Sequence, residues 1–164
     1  MSAIRHRLLL RRDVPTLGAS GVVVWIMLNP STADDTVDDP TIRRCMGFTE
    51  RFDRGVMLVV NLFTARATDP RELAAMAPNW RNHADADGSI GLALEQAAGA
   101  GRGLVVCAWG AHPLAGLRAS HAIGMVNRAG LVPQCLGVTK DGHPRHPLYL
   151  PADATLVPYA PRSS

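Results

Sequence analysis

The stretch that decides the fold is VVVWIMLNPSTADDTVDD, residues 22–39. Its first seven residues, 22–28, are apolar and include three valines, which predicts a strand buried on both faces. The apolar run ends at Asn29-Pro30, and a small, polar and acidic loop follows. Asp39-Pro40 then has the residue types of a helix N-cap and first helical position. A strand, a polar loop and a helix in this order are how an open α/β sheet presents chemistry at the carboxyl end of a strand.

Three later stretches repeat this pattern. The predicted strands lie at residues 22–28, 56–60, 104–109 and 132–138, and the predicted helices at 40–53, 70–76, 89–98 and 117–129. Strands that alternate with helices at this spacing form right-handed βαβ units. We therefore predict an α/β three-layer sandwich, in which a mainly parallel central sheet is covered by helices on both faces. Residues 4–12 alternate weakly and predict an edge strand that forms a hairpin with the first strand. All residues, 1–164, are expected to form a single domain.

The composition fits a globular protein with 47% hydrophobic and 19% charged residues. No apolar run is long enough to span a membrane. The N-terminus lacks the apolar region and cleavage site of a signal peptide, so we expect a cytoplasmic protein with no membrane partner. Cys45, Cys107 and Cys135 are widely spaced in apolar contexts. This spacing favours buried reduced thiols over a disulfide framework or a zinc site.

The charge balance permits an anionic partner without requiring one, because the formal net charge is +3. Arginines concentrate in two places, and each group has two interpretations: a solvated face or a set of phosphate contacts. One group lies near the N-terminus and the other on the first predicted helix: Arg5, Arg7, Arg11 and Arg12, then Arg43, Arg44, Arg51 and Arg54.

The acidic loop is the strongest candidate for a metal site, with Asp34, Asp35, Asp38 and Asp39 close together. Carboxylates bind divalent cations, but no His or Glu is spaced to complete a ligand set. We therefore expect no metal and no cofactor, with a solvated loop in which Asp39 caps the helix. The sequence also lacks a phosphate-binding P-loop, a dinucleotide fingerprint and a nucleophile elbow.

The four predicted strands all end on residues that can carry chemistry. Asn29-Pro30-Ser31 follows the first, Asn61 the second, Trp109-Gly110 the third, and residues 143–149 follow the fourth. Because parallel strands end at the same edge of a sheet, these residues are expected to meet in one crevice.

The asparagines and histidines at these ends have more than one interpretation. An amide can read a base edge or position a water, but it cannot act as a general base, and Asn also commonly caps or turns a chain. His143 and His146 lie in a loop that prolines stiffen. A histidine held there can stabilise a developing anion or shuttle a proton, and metal binding is a further alternative.

Six motifs resemble the domain-of-unknown-function 1643 family. They are MLNPSTAD, DDPTIRRC, VVNLF, ATDP, AWG and PRHPLYL, and the resemblance runs from about residue 27 to residue 158. A family of unknown function implies no activity.

The order of motifs is also similar to the uracil-DNA glycosylase superfamily. In that superfamily, an Asn-Pro or Asp-Pro motif after the first strand positions the attacking water, an Asn after a second strand reads the base, and a late His-Pro-Ser-Pro-Leu loop supplies a catalytic histidine. LNPS at 28–31, VVNL at 59–62 and HPLYL at 146–150 fall in that order here, and VVCAWG at 105–110 resembles the strand between them. The chain departs from the pattern at Leu28, where a small residue is common, and at Leu148-Tyr149, where the superfamily has Ser-Pro. His143 is an alternative match for His146.

This resemblance implies a uracil-DNA glycosylase-like fold and a metal-independent hydrolase that acts on DNA, in the manner of a DNA-repair enzyme. It would cleave the glycosidic bond of a deaminated or modified base flipped into the crevice. Asn29 would place the water, Asn61 would read the base, and His146 would stabilise the departing base. Ser31, Phe48, Phe63 and Trp109 complete the predicted substrate-binding residues, and Arg43, Arg44 and Arg145 are the predicted phosphate contacts. The alternatives are a hydrolase or transferase of free nucleosides or nucleotides, and a non-catalytic nucleic-acid-binding module.

Overall fold

A computed structural model describes residues 3–16 and 21–161 of the chain. Those residues form a six-stranded sheet with the order β1-β3-β2-β4-β5-β6. Its strands are β1 (Leu10–Asp13), β2 (Val22–Met27), β3 (Val56–Asn61), β4 (Leu104–Cys107), β5 (Pro133–Cys135) and β6 (Val157–Pro158). The helices are α1 (Pro40–Arg51), α2 (Pro70–Ala75), α3 (Ala86–Gly99) and α4 (Ala115–Arg128). Two short 3-10 helices, Pro78–Trp80 and Pro147–Tyr149, complete the elements.

The sheet is mixed, which corrects the prediction of a mainly parallel sheet. Strands β3, β2, β4 and β5 pair in parallel at its centre. At the edges, β1 runs antiparallel to β3, and β6 runs antiparallel to β5. A parallel neighbour needs a long crossover connection, and the chain between β5 and β6 contains no crossover α-helix. Strand β6 was not predicted, because a two-residue strand that contains Pro158 has no readable period.

The N-terminal strand is shorter than predicted and has a different neighbour. It covers Leu10–Asp13, where residues 4–12 were expected, and it pairs with β3 rather than with β2. Strand β2 is buried at all six positions and lies between two parallel neighbours, β3 and β4. That arrangement leaves β2 no free edge for a hairpin. Part of the predicted hairpin turn, residues 17–20, lies outside the described residues.

The other predicted elements are present with shifted ends. Strand β4 stops at Cys107, two residues before the predicted end at Trp109. Strand β5 is reduced to three residues and begins with Pro133, a position where a missing N–H is tolerated. Helices α3 and α4 begin two or three residues earlier than their apolar period indicated.

Helices cover both faces of the sheet, as predicted. On one face, Val24 and Ile26 of β2 pack in a core that includes α3 and α4 residues. On the other face, Trp25 packs with α1 residues such as Ile42 and Phe48. The three cysteines are free and buried, in agreement with the predicted reduced thiols. None of the helices in the described part of the chain is both long enough and apolar enough to cross a membrane.

A hydrogen bond between β2 and α1 provides a test of how the second face is held together. The Trp25 Nε1–H donates to Thr49 Oγ1 at 3.1 Å, and both side chains are fully buried. Thr49→Val removes the acceptor and leaves a buried indole N–H without a partner, so we expect a loss of about 1–3 kcal/mol in the free energy of unfolding. Thr155→Val, at an exposed position, is the control and should change stability by less than about 0.5 kcal/mol. Equal denaturation midpoints for the two variants would show that the Trp25–Thr49 bond is dispensable.

Candidate functional site

A cavity of about 390 Å³ opens at the carboxyl ends of β2 and β4. The sheet order explains its place, because the chain moves from β2 to β3 in one direction and then crosses back to β4 on the other side. Ligands of open α/β sheets bind at such a switch point. The N-terminus of α1 and the loop that contains His146 form two of its walls. Its polar and aromatic lining residues are Arg7, Asn29, Ser31, Asp39, Thr41, Thr68, Trp109, His112, His146 and Tyr149.

The structure brings four of the predicted site residues together around this cavity and places the others elsewhere. The four lining residues are Asn29, Ser31, Trp109 and His146. The predicted residues that do not line it are Asn61, Phe48, Phe63, Arg43, Arg44 and Arg145. Between the two candidate histidines, the loop places His146 at the cavity and His143 away from it.

Asn29 is fixed so that one end of its amide is free. The Nδ2 group donates to the backbone carbonyls of Pro30 at 3.1 Å and Ala67 at 3.0 Å. Its donors are therefore used within the protein, and the orientation of the amide is set. Among the described residues, none donates to Oδ1, and Asn29 lines the cavity. The cavity wall thus presents a hydrogen-bond acceptor at the end of β2.

His146 is held as a neutral hydrogen-bond donor. Its Nδ1 accepts the backbone N–H of Leu148 at 3.2 Å, so His146 caps the short 3-10 helix Pro147–Tyr149. Burial lowers the pKa of His146 below the ordinary value, while the carboxylate of Asp39 acts in the opposite direction. With Nδ1 occupied as an acceptor, the proton of the neutral ring lies on Nε2.

His112 is a second histidine of the cavity, and it was not among the predicted site residues. Its Nδ1 accepts the backbone N–H of Leu114 at 3.1 Å, the same contact that His146 makes with Leu148. The signal was present in the sequence, because His-Pro-Leu occurs twice, at 112–114 and at 146–148. In both copies, the residue after the proline supplies the N–H that fixes the ring. The neutral tautomer of His112 therefore carries its proton on Nε2 as well.

Gly110 joins the loop after β4 to the loop of His146. Its N–H donates to the carbonyl of Pro144 at 3.0 Å. The φ angle of Gly110 is +73°, a conformation that residues with a Cβ rarely adopt, and the nearest atom to an added Cβ would be the Cβ of His146, at 3.7 Å. This backbone contact holds the two histidine-bearing loops side by side.

Asn61 lies one strand away from the cavity. It ends β3 beside Met27, and Met27 lines the cavity where Asn61 does not. The side chain of Asn61 is 1% exposed, and neither Oδ1 nor Nδ2 has a hydrogen-bond partner within the described ranges. The cavity opens between β2 and β4, whereas β3 lies on the far side of β2. The ends of β2 and β3 look alike in the sequence, so this difference could not be predicted.

The two predicted phenylalanines are in the hydrophobic core. Phe48 is 3% exposed and packs with Trp25 and Phe52 beneath α1. Phe63 is 6% exposed and belongs to the core on the α3 side of the sheet. Trp109 is also buried, and its ring contacts Tyr159 edge to face at 5.7 Å between centroids.

The predicted phosphate-binding arginines make contacts within the protein. Arg43 donates to the Asp38 carbonyl at 3.2 Å, and Arg145 donates to the Val138 carbonyl at 3.1 Å. Arg44 has a structural role that affects the site, because it donates to the carbonyls of Pro147 and Leu150. It therefore attaches α1 to the segment that follows His146.

The acidic loop acts mainly as a scaffold. The Asp39 carboxylate caps α1, with Oδ1 accepting the Ile42 N–H at 2.8 Å, and Oδ2 accepts the Ala33 N–H at 3.2 Å. Asp38 forms an ion pair with Arg12 at 2.8 Å. Asp34 accepts the N–H groups of a turn, and these bonds lower its pKa. Residues 3–16 and 21–161 contain no group of three His, Cys, Asp or Glu side chains able to hold a metal ion.

A family model described as protein of unknown function, DUF1643, matches residues 7–148. The chain belongs to the DUF1643 family. No curated protein and no solved structure matches it. The matched range contains Asn29, Asp39, His112 and His146, so the cavity is built almost wholly from the part of the chain that defines the family.

The histidine cap can be tested separately from any activity. His146→Asn keeps an acceptor for the Leu148 N–H, because Asn is a good cap, whereas His146→Ala removes it at a cost of about 1 kcal/mol in the free energy of unfolding. The folded pKa of His146 lies below its ordinary value of 6.5. The unfolded chain therefore binds the proton first as pH falls, and stability is lost from about pH 6.5 downward through the folded pKa.

Chemical denaturation across this pH range is the measurement. His146→Asn has no titrating ring at this position, so it should lose less stability between pH 7 and pH 5 than the wild type. Identical pH profiles for the two proteins would mean that the ring of His146 is as solvated in the folded chain as in the unfolded one.

Proposed function

We propose that this protein hydrolyses the glycosidic bond of a nucleobase bound in the cavity, in the manner of a DNA base glycosylase. The observation that carries the proposal is the convergence of a fixed acceptor, Asn29 Oδ1, and a fixed donor, His146 Nε2–H, on one cavity. Its volume of about 390 Å³ lies within the range of small-molecule sites, roughly 300–1,000 Å³. The similarity of the motif order to the uracil-DNA glycosylase superfamily supports the choice of reaction.

The proposed reaction uses the two groups at opposite ends of the breaking bond. Asn29 Oδ1 accepts a hydrogen bond from the attacking water and aims its oxygen at the sugar carbon. As the glycosidic bond breaks, its electron pair moves to the base, and His146 Nε2–H donates to the negative charge that develops there. The departing base takes up the proton that the water loses. Asn29 orients the water without accepting a proton, since an amide is not a general base.

Recognition of the base is assigned to groups on the cavity wall. Asn61 was the predicted reader, but it does not line the cavity. His112 lines it and carries a second oriented Nε2–H, so we propose that His112 donates to an acceptor on the base edge. Ser31 and Thr68 offer hydroxyl groups on the same wall.

A nucleotide of DNA is the leading substrate because of Tyr149. This side chain lies at the cavity, two residues after Pro147, and is 83% exposed. An exposed aromatic ring beside a base-binding cavity provides a surface on which a neighbouring base can stack.

A free nucleoside or nucleotide is the second candidate. This candidate is favoured because the three arginines predicted to contact DNA phosphates do not line the cavity and make contacts within the protein. They are Arg43, Arg44 and Arg145.

The central experiment is incubation with single- and double-stranded oligonucleotides that carry deaminated, oxidised or alkylated bases. We expect abasic sites to form at one class of base, and the reaction to proceed in EDTA because the described residues offer no metal ligand set. His146→Asn keeps the loop cap, but its shorter side chain has no donor at the position of the His146 Nε2–H, so the rate should fall about a hundredfold. His143→Asn is the matched control and should leave the rate unchanged. Equal loss in both variants would reject the assignment of His146.

Tyr149→Ala separates the two substrate candidates. If the ring stacks on a base of DNA, its removal should weaken oligonucleotide binding by about 1–3 kcal/mol, or roughly fivefold to 150-fold. Cleavage of the matching free nucleoside should change little. The exposed Trp80→Ala, whose ring is outside the cavity lining, is the control. Cleavage of free nucleosides with no detectable reaction on any oligonucleotide would reject DNA as the substrate and support the second candidate.

A further inference from the structure

Arg7 is a buried arginine at the wall of the cavity. It is 8% exposed, and it lines the cavity together with Asn29 and His146. Its Nη1 donates to the Ala33 carbonyl at 2.9 Å. Its Nε is buried and has no hydrogen-bond partner in the described part of the chain. The guanidinium has five N–H groups, so most of its hydrogen-bonding capacity is not used by the protein.

The charge of Arg7 is also not neutralised by a direct partner. Within residues 3–16 and 21–161, no carboxylate forms an ion pair with it. Asp39 lines the same cavity, but both of its oxygens accept backbone N–H groups. Arg66 and Arg12 add positive charge nearby, and Asp39 and Asp35 add negative charge.

Burial is the first cause that lowers the pKa of Arg7 to about 10, and the positive charge of Arg66 is the second. The group is still protonated at neutral pH. A buried charge without a partner is costly in a folded protein. Its presence at a cavity wall is accounted for when a ligand supplies the missing negative charge.

The bond to Ala33 does not by itself account for Arg7. The same carbonyl also accepts a hydrogen bond from Arg66 Nη1 at 3.2 Å. If Arg7 were replaced by an apolar residue of similar length, the Ala33 carbonyl would keep a donor. Arg66 does not line the cavity. The two arginines therefore share one structural contact and differ in their access to a ligand.

We propose that Arg7 binds a phosphate group of the ligand, so that the cavity takes a phosphorylated nucleotide rather than a neutral nucleoside or a free base. An arginine fork matches the oxygens of a phosphate, and charge-assisted bonds of this kind are among the strongest hydrogen bonds in proteins. The naming of the ligand as a nucleotide rests on the proposed function. The phosphate belongs either to the DNA strand beside the bound base or to a free nucleotide, and the binding experiment separates these sources.

The experiment compares wild type, Arg7→Met and Arg66→Met. Binding is measured by calorimetry for 2′-deoxynucleoside 5′-monophosphates, for the matching nucleosides, and for a short oligonucleotide with and without an abasic site. In the wild type, we expect a monophosphate or the oligonucleotide to bind at least tenfold more tightly than the nucleoside. Arg7→Met should weaken the binding of the phosphorylated ligand by about 10- to 100-fold. It should leave nucleoside binding unchanged, and Arg66→Met should leave both unchanged.

Stability provides a readout that a purely structural arginine would not give. Arg7→Met removes an unpaired buried charge, so the melting temperature of the free protein should stay the same or rise. Inorganic phosphate should raise the melting temperature of the wild type and not that of Arg7→Met. A large fall in melting temperature for Arg7→Met, with no effect of phosphate on the wild type, would overturn the proposal.

Two outcomes keep this inference distinct from the proposed reaction. Arg7-dependent binding of nucleotides without any base release would support the phosphate site and reject the glycosidase. Base release with equal affinity for nucleosides and nucleotides would support the glycosidase and reject the phosphate site. If Arg7→Met fails to fold, the wild-type comparison of monophosphate with nucleoside decides alone, and equal affinity rejects the proposal. A preference for the oligonucleotide over every monophosphate identifies the phosphate as that of a DNA strand.

Discussion

The carboxylate of Asp39 holds the loop after β2 against the start of α1. One oxygen accepts an N–H from the first turn of the helix, and the other accepts the N–H of Ala33 in the loop. These two bonds tie the polar segment to the start of the helix, and the ion pair of Asp38 with Arg12 holds the same segment from outside. Ala33 also accepts a hydrogen bond from Arg7. A single side chain thus links the helix end, the loop and, through that loop, a charged group at the cavity.

The elements of the interior could be predicted from the sequence because their signals are local. The seven apolar residues before Asn29 specify β2, and the Asp-Pro pairs at 39–40 and 69–70 mark the starts of α1 and α2, with the aspartate as cap in each case. The positions of Asn29 and His146 at one cavity followed from strand ends and from motif order. The edge strands were not predictable in the same way. The pairing of β1 with β3 depends on which edge of the sheet is vacant. The weak alternation of apolar and polar residues in this four-residue strand does not show which edge that is.

The misplaced predictions of Asn61, Arg44 and Phe48 have a common cause. A sequence shows that a residue follows a strand, but it does not show between which two strands the cavity forms. Asn61 and Asn29 are equivalent by that criterion, and yet β2 separates Asn61 from the cavity. Likewise, only the first turn of α1 lines the cavity, and the sequence does not show that Arg44 and Phe48, farther along the same helix, lie away from it. His112 was overlooked because one His-Pro-Leu is unremarkable, and the meaning of the pair appears only when both are seen at one cavity.

The attachment of α1 to the His146 segment through Arg44 has a consequence for how a ligand enters. Arg44 donates to the carbonyl of Pro147, the first residue of the short 3-10 helix, and to that of Leu150, which follows it, while His146 caps the start of that helix. The loop is therefore ordered when the chain folds, and little conformational entropy is lost there when a ligand arrives. Because this loop does not need to reorder, a ligand that enters the cavity must supply any change of conformation itself. Under the proposed function, that change would be the rotation of a base out of the duplex stack, and bases that are already weakly paired would enter most readily.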